Sequence, residues 1–236
     1  MRWNSLRIPA VLAVLATVPF LPSAALAGGQ WGIAGFAGYN TYAMSDLNDE
    51  VIAPINVLLS GSGYSMDEIS GGLGFGGGLR YRTPGNLMIG VDFERLGGSS
   101  ELSVPGGSFE ISTPANAFVA TVVYYFPSAS KARFGLGGGL GYYTSAGDVT
   151  IFDSGTMQED TEDMKGSGVG FHGVGALDLA LSPTAHVEAN VGYRFAKTTD
   201  LEIAGSKQTT SDGDDATLDW SGLMTRLGVT FYFGAK

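Results

Sequence analysis

The chain has 236 residues, of which 44% are hydrophobic, 11% aromatic and 15% charged, with 37 Gly and no Cys. That balance argues against disorder, and the missing cysteines exclude disulfides, thiolate metal sites and cysteine nucleophiles. With 23 acidic against 13 basic residues the net charge is −10, which disfavours a nucleic-acid partner.

The N-terminus reads as an address. Arg2 and Arg7 precede an apolar stretch from Ile8 to Leu21, and Ala25-Leu26-Ala27 has the small-x-small pattern of a signal-peptidase site, with Ala25 and Ala27 as the recognised small residues. Pro9, Pro19 and Pro22 interrupt the stretch, which speaks against a membrane anchor. Residues 1–27 are therefore read as a signal peptide and 28–236 as the mature domain. Losing two arginines takes its net charge to −12.

Beyond the signal no run reaches the roughly 18 to 20 uninterrupted apolar residues of a membrane helix. The mean hydropathy is nonetheless +0.14, and segments with period-2 alternation recur at the length a tilted strand needs to cross a bilayer. Eight are expected, at 30–42, 71–82, 87–96, 114–126, 132–145, 168–181, 186–196 and 219–233. Their connections alternate in length. Thr83-Pro84-Gly85-Asn86, Pro127 to Lys131 and Ser182-Pro183-Thr184-Ala185 are short and built of turn residues. The links 43–70, 97–113, 146–167 and 197–218 are long and polar. In an up-and-down membrane barrel the periplasmic turns are short and the external loops long, so both chain ends are expected in the periplasm.

The alternation separates two faces. Leu87, Ile89, Val91 and Phe93 share one side of the third strand, and Met88, Gly90, Asp92 and Glu94 the other. Parity alone leaves open which face is outside. One face is an almost uncharged apolar band and the other mixes charge with glycine, which favours apolar side chains toward lipid; a soluble secreted ligand-binding barrel is the inverted alternative. Glycine clusters at Gly71 to Gly78, Gly135 to Gly141 and Gly168 to Gly175 have no helix after them, against a dinucleotide-binding loop. Inside a narrow barrel they make room for bulky neighbours.

In this order the mature chain resembles the eight-stranded outer-membrane β-barrel superfamily, which includes the outer-membrane protein A transmembrane domain and the opacity-type porin-like proteins. The last strand carries the sharpest likeness: Arg226-Leu227-Gly228-Val229-Thr230-Phe231-Tyr232-Phe233 is similar to that group's C-terminal assembly signal, with Arg226, Gly228, Phe231 and Phe233 at the matching positions. The resemblance implies an all-β, transmembrane, up-and-down antiparallel eight-stranded β-barrel in the bacterial outer membrane. It implies recognition by the outer-membrane assembly machinery and contact with outer-membrane lipid and lipopolysaccharide. The reading is of a monomer.

By parity the lumen should hold Arg80, Arg82, Arg133, Arg194 and Arg226 against Asp92, Glu94, Asp178 and Glu188, a near-balance that suits a filled barrel in which each buried charge needs a partner. The alternative is a narrow porin-like channel lined by the same groups. His172 and His186 are the only histidines. His186 lies two residues from Glu188, but no serine shares that spacing, so no catalytic residue is assigned. No cofactor and no metal is assigned either. The acidic residues of 146–167 and 197–218 lack the spacing of a calcium loop and read as solvated.

The first long loop is different in kind. Ser45 is placed to cap a short helix in which Leu47, Val51, Ile52, Ile55, Leu58 and Leu59 recur at near-helical spacing, with Pro54 kinking it or starting a second one. Such a helix can cap the barrel mouth, lie on lipid or meet a partner; the first is the simplest reading, and the lack of basic residues on its polar face speaks against anionic lipid. Ser103 to Phe109 reads as a hairpin tip. Tyr42, Tyr81, Tyr124, Tyr125, Tyr142, Tyr143, Phe231 and Phe233 fall near strand ends, where aromatic girdles sit. An external ligand is expected to meet loops 43–70, 146–167 and 197–218.

Overall fold

A computed structural model describes residues 28–234; the signal peptide and its cleavage residues Ala25 and Ala27 lie outside them. Twelve strands run in chain order: β1 (Gln30–Thr41), β2 (Gly71–Arg82), β3 (Leu87–Leu96), β4 (Ser99–Val104), β5 (Gly107–Ser112), β6 (Ala115–Tyr125), β7 (Ala132–Asp153), β8 (Gln158–Ala180), β9 (Ala185–Ile203), β10 (Ser206–Lys207), β11 (Leu218–Asp219) and β12 (Gly222–Phe233). Eight of them close a ring in the order β1-β2-β3-β6-β7-β8-β9-β12, with β12 returning to β1 through pairs from Trp31 opposite Phe233 to Asn40 opposite Met224. All pairings are antiparallel, and closure leaves these strands without a free edge inside the membrane, where an unpaired backbone group would cost several kcal/mol.

The sense of the alternation is settled by exposure. Trp31, Ile33, Leu73, Phe75, Leu79, Val122, Leu136, Leu140, Val169, Phe171, Leu227 and Phe231 are all exposed, while Arg80, Asp92, Glu94, Asp178 and Arg194 are buried inside. A barrel made for water would have these reversed. On β3, β6, β7, β8 and β9 the apolar band ends sharply toward the loops: Arg95 lies opposite Asn116, Asn116 opposite Thr144, Thr144 opposite Ser167 and Ser167 opposite Thr199, a polar row on the outer face. Two residues lower, Phe93, Phe118, Tyr142 and Val169 line up in the same register. From Val169 to Leu179 the outward positions of β8 carry only apolar residues and glycine, matching the roughly 9 to 11 residues that span a bilayer. Tyr42, Tyr125 and Tyr143, expected among the girdle aromatics, instead point inward and are buried. Each sits one position off its outward-facing neighbour; Tyr81, also expected in the girdle, has outward parity but is buried as well, its ring centre 4.9 Å from that of Trp31.

Two expected loops are partly strand. Residues 146–167 are not a solvated loop: β7 and β8 continue as one long hairpin, paired from Ala132 opposite Leu179 to Asp153 opposite Gln158. The reason is visible on β7, where Val149 and Ile151 keep the inward parity of Ser145 and Gly147. The acids of β8 concealed the strand, which exists because β7 offers it a partner. Likewise β9 runs on to Ile203, past the expected end at 196. The expected hairpin after β3 is present as β4 and β5, joined by Pro105 and Gly106, and Gly106 takes φ +116, a conformation side chains rarely adopt. This hairpin stacks on the extended β7 through Gly107–Ser112 opposite Asp148–Asp153, so a four-stranded sheet rises above the ring.

The first loop folds into a helical segment: α1 (Ser45–Leu47), a π-helical turn at Asn48–Ile52 and α2 (Ala53–Leu58). Ser45 does not cap it. The cap position belongs to Met44, in a left-handed conformation with φ 47 and no side-chain cap bond. Pro54 stands in the first turn of α2, where its missing N–H is not needed. Leu47 and Ile52 turn down into the barrel mouth, whereas Val57 and Leu58 remain exposed.

Candidate functional site in the lumen

The inward face divides into two layers. Toward the turns it is ionic. Asp178 of β8 is fully buried and meets three groups: Arg133 from neighbouring β7 donates through Nε at 3.1 Å and Nη2 at 2.6 Å, Arg82 Nη2 of β2 lies in ion-pair contact at 3.1 Å, and His186 Nδ1 of β9 shares a hydrogen bond at 2.9 Å. The Arg82 guanidinium also lies 4.2 Å from the centre of the Tyr232 ring, whose hydroxyl donates to Glu188 at 3.2 Å. One step toward the loops, Arg80 meets Asp92 at 2.5 Å across the β2–β3 hairpin and Glu188 at 3.6 Å across the lumen. Arg226 of β12 then bonds Glu94 at 2.6 Å and approaches Asp92 at 3.8 Å. Arg194 of β9 closes the series, 3.5 Å from Glu94 and bonded to Asn40 and to the Trp220 carbonyl.

All nine charged side chains named from the sequence therefore lie in one connected set, to which the structure adds His186. Parity put them on one face, and the ring supplied partners that sequence could not pair, such as Arg226 with Glu94 and Arg80 with Glu188. Glycine makes room for this layer: a Cβ on Gly139 would fall 2.7 Å from the His172 ring and closer still to the Ala120 carbonyl. His172 itself shares a 3.1 Å hydrogen bond with Thr121. Nε of Arg80, Arg82 and Arg226 finds no hydrogen-bond partner among the described residues, since five guanidiniums carry more N–H groups than four carboxylates can accept. Between them lies a cavity of about 10 Å³ lined by Arg80, Glu188, Asn190, Arg226 and Thr230, room for about one water molecule.

Toward the loops the same inward face becomes apolar. Tyr42, Met44, Leu47, Ile52, Met66, Ile69, Leu96, Tyr143, Met164, Leu218 and Trp220 form one buried cluster with Leu102 and Ile111 of the raised hairpin. Sequence reading assigned the mouth a cap but missed its depth. The usable signal was the run of inward or loop aromatics and methionines from four separate segments, which local periodicity cannot join. Polar contacts hold the cap in place. Asp46 accepts from the Thr217 N–H and hydroxyl, both at 2.8 Å, and Asn48 bonds both backbone groups of Ile69 at 3.0 and 3.3 Å. Glu50 accepts from Ser211 at 2.8 Å, and the Trp220 indole donates to Ser145 at 3.1 Å.

Outside the barrel wall the acidic loops are locally structured. At the β7–β8 tip the Gly155 N–H and Thr156 hydroxyl hold the Asp153 carboxyl below its ordinary pKa. Lys207, between Asp215 at 2.8 Å and Asp200 at 3.2 Å, is shifted upward by those hydrogen bonds. The four residues matched to the assembly signal part company: Arg226 faces inward in the ionic layer, while Phe231 and Phe233 are exposed on the outer face. A Cβ on Gly228 would sit 2.7 Å from the Gly35 carbonyl, so glycine there lets β12 and β1 approach.

Comparison with known proteins follows this geometry. The model of a family described as the outer membrane protein beta-barrel domain matches residues 10–233. No curated protein matches the sequence. Among solved structures, a major outer membrane protein from Thermus thermophilus shares 10% identity at a TM-score of 0.50, covering 87% of this chain and 99% of that one. Neisserial surface protein A shares 14% at a TM-score of 0.45, covering 88% and 98%, and OprG from Pseudomonas aeruginosa shares 13% at 0.45, covering 89% and 97%. With the family model spanning nearly the whole chain, the protein belongs to the outer membrane protein beta-barrel family, an integral β-barrel of the bacterial outer membrane.

Proposed function

We propose that the protein is a sealed outer-membrane barrel with a structural or surface-interaction role and no reaction of its own, its raised sheet and loops outside the cell and its termini in the periplasm. The observation that carries this reading is the double closure of the lumen. An ionic layer linked from Asp178 to Arg194 fills one half, and an apolar cluster with fully buried Ile52, Leu96 and Trp220 fills the other. A pathway for ions would have to break both. The alternative of a narrow channel draws on the guanidinium groups with spare donors in the ionic layer.

Catalysis has less support. Asp178 orients His186, but the same carboxylate is held by Arg82 and Arg133, and Glu188 is engaged by Tyr232 and Arg80. A base needs a nucleophile within its reach, and the hydrogen bonds of His186 lead to Asp178. Binding of lipopolysaccharide and handling by the assembly machinery remain part of this proposal through the outward band and the last strand.

Planar-bilayer recording of the purified protein tests the seal: silence at moderate voltage is expected, and steady single-channel steps would install the channel reading instead. Orientation has its own test. Gly155→Cys at the hairpin tip should react with a membrane-impermeant thiol reagent on intact cells, and reaction only after cell disruption would reverse the assignment.

A further inference from the structure

The inner face of the raised sheet continues above the cluster that fills the barrel mouth. On β4, β5, β7 and β8 the inward parity continues above the ring, giving two cross-strand rows: Leu102, Phe109, Ile151 and Asp160 in one, and Ser100, Ile111, Val149 and Glu162 in the other. The lower parts of both rows belong to the mouth cluster, in which Leu102 and Ile111 are buried. The upper part is uncovered. Ile151 is 53% exposed, whereas Val104 and Phe109 are partly buried against the mouth cluster and keep one side open. An isoleucine half open to water beside a phenylalanine, two residues from the tip of β7, leaves the upper end of this face without a partner.

The border of that face is acidic. Asp160 and Glu162 of β8 close the two rows, and beyond Asp163, whose carbonyl takes the Ala204 N–H, β8 pairs only with β7. A groove of about 400 Å³ runs along this margin between Thr161, Glu162, Asp163 and Lys165 on one side and Glu202, Ala204 and Gly205 on the other. Lys165, its one basic residue, is held by Asp163 at 3.1 Å. Apolar centre and acidic margin together specify the complement: apolar side chains alternating with Lys or Arg.

We propose that the upper inner face of this sheet docks a cationic amphipathic segment of a partner protein, with its apolar side chains on Phe109 and Ile151 and its basic ones beside Asp160 and Glu162. This rests on the surface-interaction reading above and names the chemistry of the partner. Burial of Ile151 supplies the affinity, and the carboxylates supply orientation and rate.

The test uses the full-length mature barrel in zwitterionic nanodiscs, with empty discs subtracted, and a fluorescent peptide of alternating Leu and Lys. Comparison peptides carry Ser in place of Leu, or Glu in place of Lys. Saturable binding is expected for the first, at least about tenfold weaker binding for the Ser peptide and none for the Glu peptide. Ile151→Ser, and separately Asp160→Asn with Glu162→Gln, should each weaken it by about tenfold. Glu101→Gln with Glu110→Gln on the opposite face should leave it unchanged. Heat-modifiable gel mobility verifies that each variant is folded. Equal binding of the Leu and Ser peptides, or equal losses from both faces, overturns the proposal in favour of diffuse charge attraction, and absence of binding overturns it outright. Labelling of Gly155→Cys on intact cells reads the parent orientation independently, so the two failures are distinguishable.

Discussion

The two halves of the lumen solve one problem with opposite chemistry. Both occupy the same lumen, the ionic half from inward strand positions and the apolar half from strand and loop residues together, and both must be filled because eight strands enclose little more than side-chain volume. The turn half uses charges, each compensated by partners from other strands. The loop half uses Trp220, Tyr143, Met44 and Ile52, packed under a helix that β-strand periodicity does not foreshadow. A buried charge is tolerated only with its partner, whereas a buried apolar side chain is tolerated by any neighbour of suitable shape. The ionic half should therefore respond abruptly to the loss of one group, and the apolar half more gradually.

The largest expected effect is Asp178→Ala. Two guanidiniums and His186 lose their shared acceptor, and the cost expected from an uncompensated buried pair is about 3 to 5 kcal/mol, read as a lower urea midpoint for the shift in gel mobility. An unchanged midpoint would break the comparison at its ionic side. Trp220→Ala empties the centre of the apolar half and should cost roughly 3 to 5 kcal/mol if the loops cannot collapse, less if they do. Asp46→Ala removes two bonds from the cap and should cost about 1 to 2 kcal/mol; it should raise amide exchange in α1 and around Thr217 before it alters the ring.

The smallest effect concerns pH at the hairpin tip. The Gly155 N–H and Thr156 hydroxyl lower the folded pKa of Asp153 below that of the unfolded chain. Its contribution is thus complete above the ordinary carboxylate pKa and is lost as pH falls through the lower folded value. An NMR titration of the tip should show Asp153 protonating later than exposed carboxylates, and Asp153→Asn should abolish the local response.

The ionic half was legible in the sequence because charge is conspicuous on an alternating strand: Arg80, Asp92, Glu94, Glu188 and Arg194 each stand at a parity that the next residues confirm. What parity could not supply was pairing across the lumen, which depends on ring closure. The apolar half was harder to read. Ile52, Met66, Met164 and Trp220 come from a helix, a coil, a strand extension and a loop, and only tertiary packing makes them one cluster. The β7–β8 extension was hidden for a related reason, since Glu159 to Asp163 have the composition of a solvated loop and become a strand by pairing with Val149 and its neighbours.

The absence of cysteine from the sequence makes the decisive measurement simple. Thr121→Cys places a near-isosteric thiol in the ionic layer, beneath the apolar seal, and in oriented proteoliposomes its reaction with a small charged thiol reagent added on the loop side can be timed. Protection in the otherwise native barrel, lost when Trp220→Ala is added, is the predicted result. Rapid modification without the second substitution would show that the loop half does not close the lumen, and would contradict the account.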